Sequence, residues 1–314
     1  MDKIIDIIKD SLSDFISIIA DWIMNWLIQD IAMPMVHRCR SFGEDVFSGF
    51  INSAITVLQK SPSEWNSDGW EFILQNVNTV FIAFGCQLVV LFFLIGFLAE
   101  SIDPRQDIRF ETMIKALFKI LLAEFLVCNS ASIVTGLFQL VTSLTSGVTT
   151  NKYQVPTWKI VDGQGTILDF DTLLQSLGLV DLCFVLLAAF LYMIVMIGAG
   201  AVVAYTAYMR FFKIMAIVPY GSLASATVSG NHTLNHTVMQ FYKYVLSVVL
   251  EAVTIIVAIG LYTAIMGGTQ FEVIVANEEN QYILYAFINR ALAALLLVGV
   301  VKGSGTLTQR VLGL

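Results

Sequence analysis

The sequence predicts an all-α, polytopic transmembrane helix bundle of about five spans, and three observations lead there. Hydrophobic residues fill 57% of the 314 positions and charged residues only 13%, against about 25% charged in soluble domains. Mean hydropathy is strongly positive, at +0.78. Several apolar stretches reach the roughly 20 residues that a helix needs to cross a hydrocarbon core. A soluble fold would have too little charge here to cover its surface, so lipid is the solvent for much of the chain.

The elements follow in order. Residues 4–33 carry apolar side chains at helical spacing (Ile4, Ile8, Leu12, Phe15, Ile19, Trp22, Ile23, Trp26), with Asp6, Asp10, Asp14 and Asp21 on the opposite face. The acids share an arc of roughly 80° at 100° per residue. Such a helix packs on the protein or lies at the membrane interface; the alternative is a span over 15–33 that carries Asp21 at a cost of a few kcal/mol. The first residues lack the short apolar core and small-residue cleavage site of a signal peptide. A second amphipathic piece covers 46–58, and Ser61-Pro62-Ser63-Glu64-Trp65-Asn66-Ser67-Asp68-Gly69 reads as a loop. Residues 1–72 therefore form an N-terminal amphipathic helical region, and 73–310 the transmembrane bundle. The spans are 77–99, 117–140, 182–205, 244–265 and 283–301. A further apolar segment, 211–224, is too short to span and is interrupted by Pro219 and Gly221, so it reads as a re-entrant or interfacial turn.

Lysine and arginine set the orientation. Arg105, Arg109, Lys115 and Lys119 lie between spans one and two, Arg210, Lys213 and Lys243 between three and four, and Lys302 and Arg310 after five. On the other side the loop between spans two and three holds Lys152 and Lys159, that between four and five holds Glu272, Glu278 and Glu279 with nothing basic, and the N-terminal region carries Lys3, Lys9, Arg38, Arg40 and Lys60. By the positive-inside rule the N-terminal region is outside and the C-terminus cytoplasmic, in a multi-pass protein of the cell membrane. Trp70, Tyr205, Tyr208, Tyr244 and Tyr282 near span ends read as interfacial anchors. Cys39, Cys86, Cys128 and Cys183 are scattered and read as small core residues with no metal spacing.

The motif content excludes several activities. No lysine follows a glycine, so there is no phosphate-binding P-loop, and neither His-Glu-x-x-His nor Gly-x-Ser-x-Gly occurs. No catalytic, metal or cofactor site is expected. His232 and His236, four apart, lack a third ligand and read as part of a polar turn. A net charge of −7 argues against a broad nucleic-acid-binding face.

Charges within spans are the informative residues, because they usually face a partner or a wet cavity. Glu124, Glu251 and Arg290 are three. Counting from Tyr244 and Val301 puts Glu251 roughly 10 Å and Arg290 roughly 16 Å from the same face, at 1.5 Å per residue, so the two are expected to pair. Gly198, Gly200 and Ala204 form a small-residue seam for helix packing. Arg210 and Lys213 are placed to touch a cytoplasmic partner or lipid phosphates, beside a bend at Pro219.

The layout, with a long third span running into Tyr208-Met209-Arg210-Phe211-Phe212-Lys213-Ile214-Met215-Ala216-Ile217-Val218-Pro219 and then Gly221-Ser222-Leu223-Ala224-Ser225-Ala226, resembles the TrbL-type polytopic inner-membrane subunits of type IV secretion and conjugation systems. Its compactness is most similar to forms from Gram-positive mobile elements. The resemblance covers roughly residues 70 to 310. It implies a non-enzymatic core channel or scaffold subunit that oligomerises in the membrane and contacts cytoplasmic ATPases and other secretion subunits. Such a subunit supports transfer of single-stranded DNA with its attached protein, here with at most weak DNA contact given the acidic outer loops. The alternatives are a small-solute transporter, whose repeated halves and paired broken helices are not evident, and a structural scaffold of an unrelated membrane complex.

Overall fold

The computed structural model describes residues 22, 26–101, 110–148, 153–156, 158, 160–161, 167–175, 177–230, 232–267 and 281–314. Among them the helices are α1 (Met33–Leu58), α2 (Pro62–Trp65), α3 (Ser67–Phe72), α4 (Asn78–Ser101), α5 (Phe110–Val148), α6 (Phe170–Gln175), α7 (Leu179–Ile217), α8 (Tyr220–Ala226), α9 (His232–Gly267) and α10 (Tyr282–Val311). Five helical runs are long and apolar enough to cross a membrane: Ser67–Leu98, Ile114–Gly147, Val180–Ile217, His236–Gly267 and Tyr282–Val311. The fold is the expected all-α polytopic bundle, apart from a two-residue antiparallel ladder that pairs Ile160 (β1, Ile160–Val161) with Leu168 (β2, Ile167–Leu168).

Two compact units are assembled from non-consecutive stretches. The first comprises residues 1–50, 153–202 and 261–298; the second comprises 51–152, 203–260 and 299–314. Position 72, where the sequence reading puts a boundary, falls within the second unit. The reading of 4–33 lies outside the described residues except for its last turns, as does most of the alternative span over 15–33. The amphipathic piece at 46–58 is the second half of α1, which begins at Met33.

In the first unit, close approach of backbones is made by glycine. A Cβ on Gly43 would meet Met193 Cα at 3.0 Å, and one on Gly200 would meet Phe47 Cα at 3.2 Å. Phe47 is fully buried there, edge-on to Tyr153 and Tyr262 at 5.9 Å each. Burial takes the Tyr153 hydroxyl well above its ordinary pKa, because a phenolate would lose its water.

In the second unit, residues 61–72 are two short helices where a loop was expected. Ser61 and Glu64 form a capping box, the carboxylate accepting from the Ser61 N–H at 2.8 Å while the Ser61 hydroxyl accepts from the Glu64 N–H at 3.4 Å. Asn66 then caps α3 by accepting from Gly69 N–H at 2.8 Å. The helix turns Trp70 inward, so it packs in the core with Phe138, Val218 and Val249 and is no interfacial anchor.

The 211–224 segment also resolves differently. Residues 211–217 finish α7, which stops because Pro219 has no N–H to give the carbonyl a turn earlier. Residues 220–229 then form α8 and a single 3₁₀ turn packed against α4 and α5. A Cβ on Gly85 would meet the Ser222 carbonyl oxygen at 3.2 Å, and one on Gly221 would meet Ser130 Cβ at 3.2 Å. Ser222 and Thr227 give their hydroxyl protons to carbonyls within the segment, and Ser229 donates to Val89 O of α4 at 2.9 Å. Small side chains with internally bonded hydroxyls let an irregular stretch lie buried among apolar helices.

The cysteines are not core residues: Cys128 and Cys183 are exposed, and Cys39 and Cys86 half-buried. In a lipid-facing protein the outer face is itself apolar, so an apolar neighbourhood in sequence carries no information about burial.

Candidate functional site

Two groups of ionisable side chains lie inside the helices, one in each unit. In the first unit the centre is Glu44 on α1, 8% exposed. It falls on the buried stripe of that helix, with Val36, Phe47, Ile51, Ala54 and Leu58, all within about 80° of arc at 100° per residue. Glu44 Oε1 accepts from Trp158 Nε1 and, at 3.1 Å, from the Tyr192 hydroxyl of α7. Arg290 of α10 brings Nη1 to 3.6 Å from the same oxygen. Arg290 also donates to Pro156 O at 3.0 Å and lies 4.5 Å from the Trp158 ring centroid. One guanidinium thus touches the Pro156 carbonyl, the Trp158 indole and the carboxylate to which that indole donates. Phe170, Tyr192 and Phe287 pack around the same indole, with centroids 5.0 to 5.8 Å away.

In the second unit the centre is Glu251 of α9, 4% exposed. Lys213 Nζ stands 3.8 Å from Oε2, and Ser304 of α10 donates to Oε1 at 3.4 Å. Gly305 makes the room: a Cβ there would lie 3.2 Å from Oε1. Arg210 of α7 is 1% exposed, with its guanidinium 5.4 Å from the Phe138 ring and 5.7 Å from its neighbour Phe211. The Glu251 carboxylate acts on that charge, while Nε and Nη1 of Arg210 have no hydrogen-bond partner among the described residues.

These positions correct two expectations. Glu251 and Arg290 each take a partner other than the one expected, Lys213 for one and Glu44 for the other. Depth was counted from the ends of apolar runs, whereas α9 begins at His232 and α10 continues to Val311. Glu251 meets Ser304 within the second unit, whereas Arg290 belongs to the first. Arg210, expected to reach a partner or lipid phosphate, is instead buried, because unbroken helix through Ile217 turns it to the face of Ala207, Phe211 and Ile214. Lys213, whose side chain is 44% exposed, keeps an open side.

The remaining residues fall as follows. Gly200 lies against α1, Gly198 has nothing within 4 Å of an added Cβ, and Ala204 is buried. Glu124 is on an exposed face of α5 with Leu121 and Phe125. His232 and His236 lie in the first turns of α9, where a turn was expected. Among the described residues no three His, Cys, Asp or Glu side chains are grouped to hold a metal ion.

Glu44, Trp158 and Trp65 were not singled out by sequence reasoning. Glu44 carried a signal, an acid on the apolar stripe of a helix. Trp158 carried none. Trp65 lay in the supposed loop, yet it stacks on Phe211 at 4.9 Å and touches Tyr208 and Phe212, gathering the aromatic residues at the end of α7.

Chemically, both groups are clasps that tie helices together, and for the buried pair of Glu44 and Arg290 removing one member costs several kcal/mol. No curated protein and no solved structure matches the chain. The family described as TrbL/VirB6 plasmid conjugal transfer like protein matches residues 50–225, which takes in α4, α5, α7, α8 up to Ser225, Arg210 and Lys213 and leaves Glu44, Glu251 and Arg290 outside. A match over more than half of the chain, whose described residues include five helices long and apolar enough to cross a membrane, places this protein in the TrbL/VirB6 plasmid conjugal transfer like family.

Proposed function

We propose that the chain is a core subunit of a conjugative type IV secretion system, built into the cytoplasmic membrane as channel wall or scaffold, and that it supports passage of single-stranded DNA with its attached protein without catalysing a reaction. The observation that supports this most is the family match over the helices that surround the buried 220–229 segment. The buried acids Glu44 and Glu251 are both engaged by basic partners within the protein, which suits a structural element better than a solute path. The motor is then a separate cytoplasmic ATPase, and Lys213 is the residue at the end of α7 open to it or to lipid phosphate. Self-association in the membrane and weak contact with the passing DNA complete the reading. The N-terminal region lies outside and the C-terminus in the cytoplasm, by the distribution of Lys and Arg.

A clean in-frame deletion is expected to abolish conjugal transfer, with full recovery from a plasmid copy; transfer at the parental frequency would falsify the assignment. In a cysteine-free background, single cysteines at 154 and 275 should react with an impermeant maleimide in intact cells, and those at 105 and 313 only after lysis. The opposite pattern reverses the orientation.

A further inference from the structure

The first unit contains a cavity of about 560 Å³, lined by His37, Arg40, Glu44, Trp158, Asp169 and Phe170 among others, within the roughly 300–1,000 Å³ of small-ligand sites. Its charges are unequally committed. Glu44 is engaged by Trp158, Tyr192 and Arg290. Asp171 is held by His37, Nε2 to Oδ1, at 2.9 Å. Arg40 is the exception. Its guanidinium lies 4.6 Å from the Phe170 ring and 5.4 Å from the Trp158 ring. Its Nε is buried with no hydrogen-bond partner, and among the described residues neither Glu44 nor Asp171 pairs with it.

A cationic ligand does not suit this wall, because Arg40 and Arg290 already lie against the aromatic rings. What the wall lacks is an acceptor for a guanidinium that stacking already holds in place, and a planar carboxylate matches the fork of an arginine with two parallel hydrogen bonds. The geometry points to a carboxylate-binding site: the cavity takes the carboxylate of a small ligand, with Arg40 as the anchoring residue and Trp158 and Phe170 as its walls. Asp169 lines the same cavity and opposes the bound anion, which limits affinity.

The site is independent of the role in DNA transfer. Its test uses the full-length protein in nanodiscs and four peptides, in calorimetric titrations. Acetyl-Ala-Glu-Ala-amide against its Gln counterpart reads a side-chain carboxylate; acetyl-Ala-Ala with a free C-terminus against its amide reads a terminal one. At least one acid is expected to bind tenfold or more tightly than its neutral partner, and which pair responds identifies the source. Arg40→Gln should remove that preference while size-exclusion profile and near-ultraviolet circular dichroism stay as in the parent. Asp169→Asn should strengthen binding of the acid several-fold, an outcome that a damaged fold does not produce. Equal binding of acid and amide, an unchanged preference in Arg40→Gln, or weaker acid binding by Asp169→Asn overturns the assignment.

Discussion

Arg290 and Glu44, 246 residues apart in sequence, face each other across 3.6 Å and share Trp158 as a third partner. Removing either leaves the other as an unbalanced buried charge, which costs about 3–5 kcal/mol. Glu44→Gln and Arg290→Gln should each lower the midpoint of detergent-induced unfolding, and the double variant should lose less than the sum. Strict additivity would show that the two do not act as a pair.

Gly85 tests the seat of the α8 segment. A methyl there would stand 3.0 Å from Val127 Cγ1 and 3.2 Å from the Ser222 carbonyl oxygen, a conflict worth about 1–3 kcal/mol. Gly85→Ala should destabilise accordingly, whereas Gly198→Ala, with nothing within 4 Å of the added carbon, should be neutral or slightly stabilising. The pair is read by unfolding in mixed micelles, and equal effects would contradict the packing.

The capping box at the start of α2 gives a pH signature. Glu64 has its pKa lowered, first by the Ser61 backbone N–H and then by the Ser61 hydroxyl. A carboxylate held below its ordinary pKa stabilises the fold fully above the unfolded value, about 4.3, and loses that contribution as pH falls through the folded value. Trp65, stacked on Phe211, is a fluorescent reporter next to the box. Its environment should therefore loosen below about pH 4.3. Ser61→Ala should cost about 0.5–2 kcal/mol at neutral pH and flatten this acid response; an unaltered response would dissociate Glu64 from it.

Glu124 stands exposed on α5 between the exposed side chains of Leu121 and Phe125. A carboxylate on the outward face of a span costs a few kcal/mol to insert. Expressed alone, the Glu124→Leu protein should accumulate in membranes to a higher level than the parent, as measured by quantitative blotting; a lower level would mean that this face is not turned to lipid.

Much of the fold was legible because partitioning into lipid depends on summed hydropathy, which a sequence carries directly. Each expected span lies within an observed helical run, apart from the last residue of the first span. The pairing of charges was not legible in the same way. It depends on where helices end, and Arg210 and Glu251 belong to helices that continue well past their most apolar turns. Ser61 and Glu64 carried a recognisable capping signature that the surrounding Pro, Ser and Gly obscured. Arg210 was misplaced because Pro219 and Gly221 made 211–224 read as an interfacial turn with Arg210 at its start, whereas the helix continues unbroken to Ile217, two residues before the proline. Trp158 could not be found, since its role comes from three distant segments converging on one indole.

The seat between α4 and α5 has a consequence for synthesis. Its two walls leave the ribosome more than seventy residues before the peptide that fills it, since α5 ends at Val148 and α8 opens at Tyr220. Until then Gly85 and the Val89 carbonyl have no occupant, and the helical hairpin waits as a receptor for its own downstream chain. Membrane insertion and completion of the fold are therefore separate events in time, and a nascent chain halted before Tyr220 is inserted yet still open at its centre.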